Sequence, residues 1–168
     1  MTIHKYLDHL FSTWSHVAVL RVLNKYVVGL SGREISRLVG MSAKNCLKTL
    51  TTLEGLDLGI RNRGGRDHLF RLNRDHYMVN DAIIPLLKIE ENYLDRILDD
   101  IRQKLKEYST SIYLFGSVAR REEDLQSDLD LCIIYDNSAQ LKLLEEKMIE
   151  LQSFLRKKIF NYCYPVLY

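Results

Sequence analysis

Ser111-Ile112-Tyr113-Leu114-Phe115-Gly116-Ser117-Val118-Ala119-Arg120-Arg121-Glu122-Glu123-Asp124-Leu125-Gln126-Ser127-Asp128-Leu129-Asp130-Leu131-Cys132-Ile133-Ile134-Tyr135 decides the reading of this chain. A β-like run ends in Gly-Ser, ten residues intervene, and Asp-Leu-Asp opens a second β-like run. Residues two apart on an extended strand point to one face, so Asp128 and Asp130 project side by side while Leu129 and Leu131 turn into the core. Two carboxylates held this way repel one another unless a cation sits between them. Magnesium, with nucleotide phosphates completing its oxygen shell, removes the conflict. Gly116 lets the backbone approach a triphosphate, and Ser117 offers a hydroxyl and an amide to phosphate oxygens.

The stretch resembles the DNA polymerase beta-like nucleotidyltransferase superfamily, and within it the minimal nucleotidyltransferases. Their pattern runs Gly-Ser-x-Ala-Arg-Gly, a short loop, then Ser-Asp-x-Asp-Leu. Gly116, Ser117, Ala119, Arg120, Ser127, Asp128, Asp130 and Leu131 match it. The resemblance implies a small mixed-sheet fold in which Gly116, Ser117, Arg120 and Ser127 bind the nucleotide. It also implies that Asp128 and Asp130 are the catalytic, magnesium-binding pair. The implied reaction is attack by a hydroxyl on the α-phosphate of a nucleoside triphosphate, ATP favoured, with pyrophosphate leaving. Arg121 departs from the family's glycine, and the loop after it, Glu122-Glu123-Asp124, is unusually acidic. The family's third carboxylate on a following strand has no counterpart, since no Asp or Glu follows Glu150. Asn161 or Tyr164 occupies that neighbourhood, so the acceptor loses its usual base and turnover is in doubt.

The first half reads differently. Residues 1–80 hold 12 basic and 6 acidic side chains against 12 and 16 in residues 81–168, so a net +6 faces a net −4 and the first half is suited to a polyanion. Ser15 is the expected N-cap of a helix with Val17, Leu20, Val22 and Leu23 inward, closed by Gly29. Ser31 opens a second helix carrying Ile35, Leu38 and Val39. Gly40-Met41-Ser42 turns into a third helix, about Ala43 to Glu54, with Cys46, Leu47, Leu50 and Leu53 inward. Strand-like Leu58–Arg61 and His68–Leu72 flank an Asn62–Asp67 loop with a Gly-Gly tip. Three helices and a basic hairpin over about residues 15–75 resemble a winged helix-turn-helix domain. That resemblance implies duplex DNA as partner: Asn45 offers base-edge contacts, and Lys44, Lys48, Arg61, Arg63 and Arg66 offer contacts to phosphate or a narrow minor groove.

From Asn80 to Tyr108 the pattern predicts one long helix whose stripe of Leu94, Leu98, Ile101, Leu105 and Tyr108 packs either on a second copy of the chain or on its own core. The expected fold class is therefore α+β. A winged helix-turn-helix domain (1–79) is followed by a connecting helix (80–108) and a small mixed-sheet nucleotidyltransferase domain (109–168), with truncation of the last left open. No apolar run approaches the ~20 residues of a membrane span. Cys46, Cys132 and Cys163 have no metal-ligand spacing and read as buried small hydrophobes, and a cytoplasmic protein is expected, with magnesium at Asp128 and Asp130 as its cofactor. The pairing of domains fits an antitoxin-type modifier of a protein such as a HEPN-type toxin. The competing reading is a DNA-binding regulator whose second domain senses nucleotide without turnover.

Overall fold

Ser31 and Ser42 start the two helices that organise the first half of the chain. In the computed structural model, which describes residues 5–65, 67–135, 141–158 and 164–167, the Ser31 hydroxyl accepts from the Glu34 amide while the Glu34 carboxylate accepts from the Ser31 amide. This reciprocal box satisfies two otherwise orphaned donors at the start of α3 (Gly32–Val39). Ser42 likewise accepts from the Asn45 amide and caps α4 (Ala43–Gly55). Between them Gly40, at φ +74°, supplies the left-handed residue that ends α3.

The first of two units, Met1–Asn92, surrounds these helices with α1 (Tyr6–Leu10), α2 (Trp14–Lys25) and a sheet of β1 (Leu30–Ser31), β2 (Gly59–Gly64) and β3 (Asp67–Leu72). The strands are antiparallel in the order β1-β3-β2. A helix, a short strand, two helices and a hairpin in this order make a winged helix. Its core gathers Leu10, Val19, Leu20 and Leu23 with Ile35, Cys46, Leu50, Leu53, Leu58, Phe70 and Leu72. A π-helical segment (Met78–Ile83) and α5 (Ile84–Glu91) add Val79, Ile83 and Leu87 to the same core. Arg21 clamps α2 to α5 by donating from Nε and Nη2 to the two Glu90 oxygens at 2.7 and 2.6 Å.

Several local expectations are corrected here. Thr13, not Ser15, is the N-cap residue of α2, and the helix ends at Lys25, well before Gly29. Arg74 stops it from a distance, its Nη2 donating to the Asn24 carbonyl at 2.9 Å. Leu47 and Leu38 are exposed, whereas His16, Val19 and Thr49 are buried. On α4 the stripe Cys46, Thr49, Leu50 and Leu53 follows the 3.6-residue period, and Leu47 falls about a quarter-turn outside it. The wing's loop is also tighter than Asn62–Asp67, because Asn62 and Arg63 already belong to β2 and Gly64 pairs with Asp67, with Gly65 at φ +63°.

The second unit, Tyr93–Tyr168, contains α6 (Tyr93–Leu105), β4 (Ser111–Phe115), α7 (Gly116–Arg120), β5 (Asp130–Ile134), α8 (Leu141–Lys158) and β6 (Tyr164–Leu167). Central β5 runs antiparallel to β4 and parallel to β6. A parallel neighbour needs a crossover, and α8 lies in it. Ile97, Ile101 and Leu105 of α6 meet Leu144, Met148, Leu151 and Leu155 of α8 and Leu129, Leu131 and Ile133 of β5 in one core. The expected 80–108 helix is therefore not one element: Asn92, at φ −98° and ψ 11°, separates α5 from α6, and its side-chain amide donates to the Lys88 carbonyl. Of its apolar stripe, Ile101 and Leu105 are buried in this unit's own core, and Leu94, Leu98 and Tyr108 pack against that core partly buried.

Candidate functional site

The alternation of β5 decides where the two aspartates stand. Leu129, Leu131 and Ile133 are buried, which leaves Asp128, Asp130 and Cys132 on the opposite face of the extended run. Asp130 pairs with Phe115, the last residue of β4, so its carboxylate lies over the turn that β4 makes into α7. That turn is Gly116, at φ +76°. A Cβ built on it would stand 1.9 Å from Asp130 Oδ2 and 2.9 Å from its Cγ. Glycine is thus required here twice, for the backbone angle and for the carboxylate that fills the space of a side chain.

The half-buried Ser117 hydroxyl follows and makes no hydrogen bond among the described residues, leaving its donor for a ligand. Two other expected nucleotide contacts are engaged locally. Arg120 is exposed and donates from Nε to Glu122 at 2.8 Å. Ser127 accepts from the Asp124 amide at 2.9 Å, and its hydroxyl is 3.1 Å from the Asp124 carboxylate, so it folds the acidic loop. The Gln126 amide, and after it Ser127, hold the Asp124 carboxyl below the usual carboxylate range. Asp128 and Asp124 border a small cavity of about 110 Å³ whose other walls include Leu94, Ile97 and Val118.

Among the described residues no group of three His, Cys, Asp or Glu gathers into a metal cage. Two half-buried carboxylates, one cradled against a glycine, fit a hard divalent cation that draws its remaining ligands from water or phosphate. The register sets Tyr164 of β6 beside Asp130 of β5. Paired positions share a face of the sheet, so position 164 is where a third acid would belong. Asn161 and Cys163 lie outside the described residues.

In the first unit, Lys44, Asn45 and Lys48 all stand on the exposed side of α4. Arg63 is exposed near the wing tip, Arg66 lies outside the described residues, and Arg61 is partly spent on an ion pair with Glu54 at 3.1 Å. The structure adds Arg33 and His68, which line a hollow of about 310 Å³ with Leu47 and Arg61 between the helices and the wing. Arg33 sits in the first turn of α3, a position that nothing in the sequence pattern singles out. No helix of the described residues is long and apolar enough to cross a membrane.

No curated protein matches the chain. Solved structures similar to it include the homodimeric winged helix-turn-helix DNA-binding domain of a possible ArsR-family transcriptional regulator from Mycobacterium bovis. That match has 15% identity and a TM-score of 0.42, covering 56% of this chain and 81% of that one. Another is the transcriptional repressor CouR bound to a 23-mer DNA duplex, at 24% identity and a TM-score of 0.41, covering 61% of this chain and 77% of that one. A third is NadR in complex with 4-hydroxyphenylacetate, at 15% identity and a TM-score of 0.45, with the same coverage. Residues 94–163, which include Gly116, Ser117, Asp128 and Asp130, match the family model of the nucleotidyltransferase domain.

Proposed function

We propose that the chain transfers a nucleoside monophosphate from a nucleoside triphosphate, ATP favoured, to a hydroxyl acceptor, and that its first unit binds duplex DNA. The observation that carries the first part is the seat of Asp130 against Gly116, beside Asp128 and the unused Ser117 hydroxyl. Asp128 and Asp130 would hold magnesium, which supplies Lewis-acid stabilisation of the phosphates when bound. Gly116 leaves the room beside the backbone that the Asp130 carboxylate occupies, and Ser117 donates to a phosphate oxygen. The acceptor's proton has no carboxylate of the chain to receive it at position 164, which makes transfer slow. Release of labelled pyrophosphate from ATP, with a panel of hydroxyl acceptors that includes a HEPN-type toxin protein, tests the reaction. Asp128→Ala with Asp130→Ala should abolish it, and unchanged nucleotide affinity in that double variant would overturn the assignment.

The absence of a third acidic ligand among the described residues favours one second reading, a regulator whose nucleotidyltransferase domain binds nucleotide without turnover. Binding that a chelator abolishes, without pyrophosphate release, is its distinguishing result.

The exposed cations of α4 and the wing support the DNA reading, since an arm needing only solubility has no cause to segregate its bases. Mobility shifts should weaken steeply with salt, and each phosphate contact removed, as in Arg63→Ala, should lower the log–log salt slope by roughly 0.9. Asn45→Ala should instead relax sequence preference. Absence of any shift at low salt would overturn this part.

A further inference from the structure

The junction of α2 and α4 holds an open hollow of about 300 Å³, lined by Trp14 and Met41 together with polar side chains and far from any residue of the nucleotidyltransferase motif in the sequence. His16, only 5% exposed, stands in its wall. Its Nδ1 lies 3.0 and 3.1 Å from the His9 and Leu10 carbonyls, which can only accept, so Nδ1 carries a proton, and in the tautomer with one ring proton Nε2 is an acceptor. Nε2 has no hydrogen-bond partner among the described residues, where no sealed side-chain nitrogen or oxygen lacks one, so it is not sealed, and His16 lines the cavity.

The rest of the wall asks for an anion. Thr49 donates to Ser15 at 3.0 Å and Ser15 is bonded to Thr13 at 2.9 Å. Three hydroxyls share two bonds, so one hydroxyl proton is left to donate outward. Thr13 and Ser15 sit at the N-terminus of the 12-residue α2, whose N-cap makes no side-chain bond to the first turn, Thr49 reaches them from α4, and the Lys48 ammonium, with no ion pair among the described residues, lines the same space. Trp14, 67% exposed, forms the rim. A ligand that satisfies this wall brings an anion for Lys48 and the helix terminus, a donor for His16 and a planar face for the indole. Inorganic phosphate and a backbone phosphodiester meet only the first demand.

We propose that this cavity binds a mononucleotide, its phosphate at Lys48 and the α2 terminus and its base on Trp14, and that the bound nucleotide competes with duplex DNA for the exposed face of α4. The competition rests on the DNA reading above, but the nucleotide site does not. Trp14 is the chain's single tryptophan, so its fluorescence reports this cavity alone. The full chain is titrated with AMP in the presence of chelator, which removes metal-dependent binding elsewhere. A saturable change is expected, with affinity reduced roughly tenfold to a hundredfold in Lys48→Ala and, by calorimetry, also reduced in Trp14→Ala. No saturable change up to millimolar AMP, or the same response to inorganic phosphate, overturns the nucleotide site. In mobility shifts AMP should displace a short duplex, and an unaltered shift at saturating AMP overturns the competition. A chain that shifts no duplex even without AMP refutes the DNA reading, and the fluorescence titration then decides the site by itself.

Discussion

Gly40 and Gly116 share nearly the same φ, +74° and +76°, and do opposite work. Nothing lies within 4 Å of where a Cβ on Gly40 would stand, so that glycine serves only to turn α3 toward α4. At Gly116 the Asp130 carboxylate occupies the place of the missing side chain. One unit uses its tight turn as a joint between helices. The other uses it to seat a charged group against the backbone.

Exchanging each glycine for alanine breaks the comparison most sharply. Gly40→Ala should cost only the left-handed strain, about 1–2 kcal/mol of stability, with nucleotide transfer unaffected. Gly116→Ala adds a collision that must push Asp130 aside. Since a displacement of about 1 Å at a reacting centre costs on the order of 10²-fold, transfer should fall at least that far. Comparable activity in the two variants, measured by pyrophosphate release, would show that the Asp130 seat has no functional meaning.

A gain at the same site sharpens it next. Tyr164 stands beside Asp130 in the register, and Tyr164→Asp places a carboxylate where the chain has none. A positioned general base contributes on the order of 10²–10⁴-fold, so single-turnover transfer should rise by up to about 10² in a site not otherwise built for it. An unmoved rate with intact nucleotide binding would mean that proton removal is not what limits the reaction.

How much of this was legible in the sequence follows from the range of the interactions. Ser31, Gly40 and Ser42 could be placed because a cap and its partner lie within three residues of one another. Asp128 and Asp130 could be placed because strand alternation is just as local, and the burial of Leu129 and Leu131 agrees with it. The end of α2 was not legible, because its stop comes from Arg74, fifty residues on. The break at Asn92 was hidden for another reason. Leu87 and Leu94 are seven residues apart, so the apolar stripe stays in phase across two helices that belong to different cores. Ser127 matches the family pattern, yet its hydroxyl is turned to Asp124, a pairing that spacing alone does not reveal.

On the scaffold side, the Arg21–Glu90 clamp gives a smaller, pH-dependent effect. The Arg21 hydrogen bonds hold the Glu90 carboxyl below the usual carboxylate range, and Arg21 stays charged throughout. A depressed folded value means that the pair's contribution is complete above the ordinary carboxylate pKa and is lost as pH falls through the lowered one. Both side chains are about half exposed, so solvent screening limits the contribution to less than about 1 kcal/mol. Arg21→Gln should lower the stability of the first unit near neutral pH and flatten its acid limb. An unchanged limb in denaturant titrations at several pH values would assign the clamp no energetic weight.

The smallest effect concerns a third left-handed turn, at Arg121, φ +59°, where the family pattern has glycine. The Glu122 amide donates to the Ser117 carbonyl and the Arg121 amide to that of Val118, the paired bonds that close a helix through a left-handed residue. An arginine there bears about 1–2 kcal/mol of strain. Glycine would relieve it but return about 0.4–1 kcal/mol through the greater freedom of the unfolded chain. Arg121→Gly should therefore stabilise the second unit by about 0.5–1 kcal/mol, a rise of a few degrees in its melting temperature. Because Arg121 stands one residue beyond α7 and its turn seats no carboxylate, transfer should stay near its original rate. A loss of transfer alongside the gain in stability would place Arg121 with Gly116 among the turns that serve the site, and would move it out of the company of Gly40.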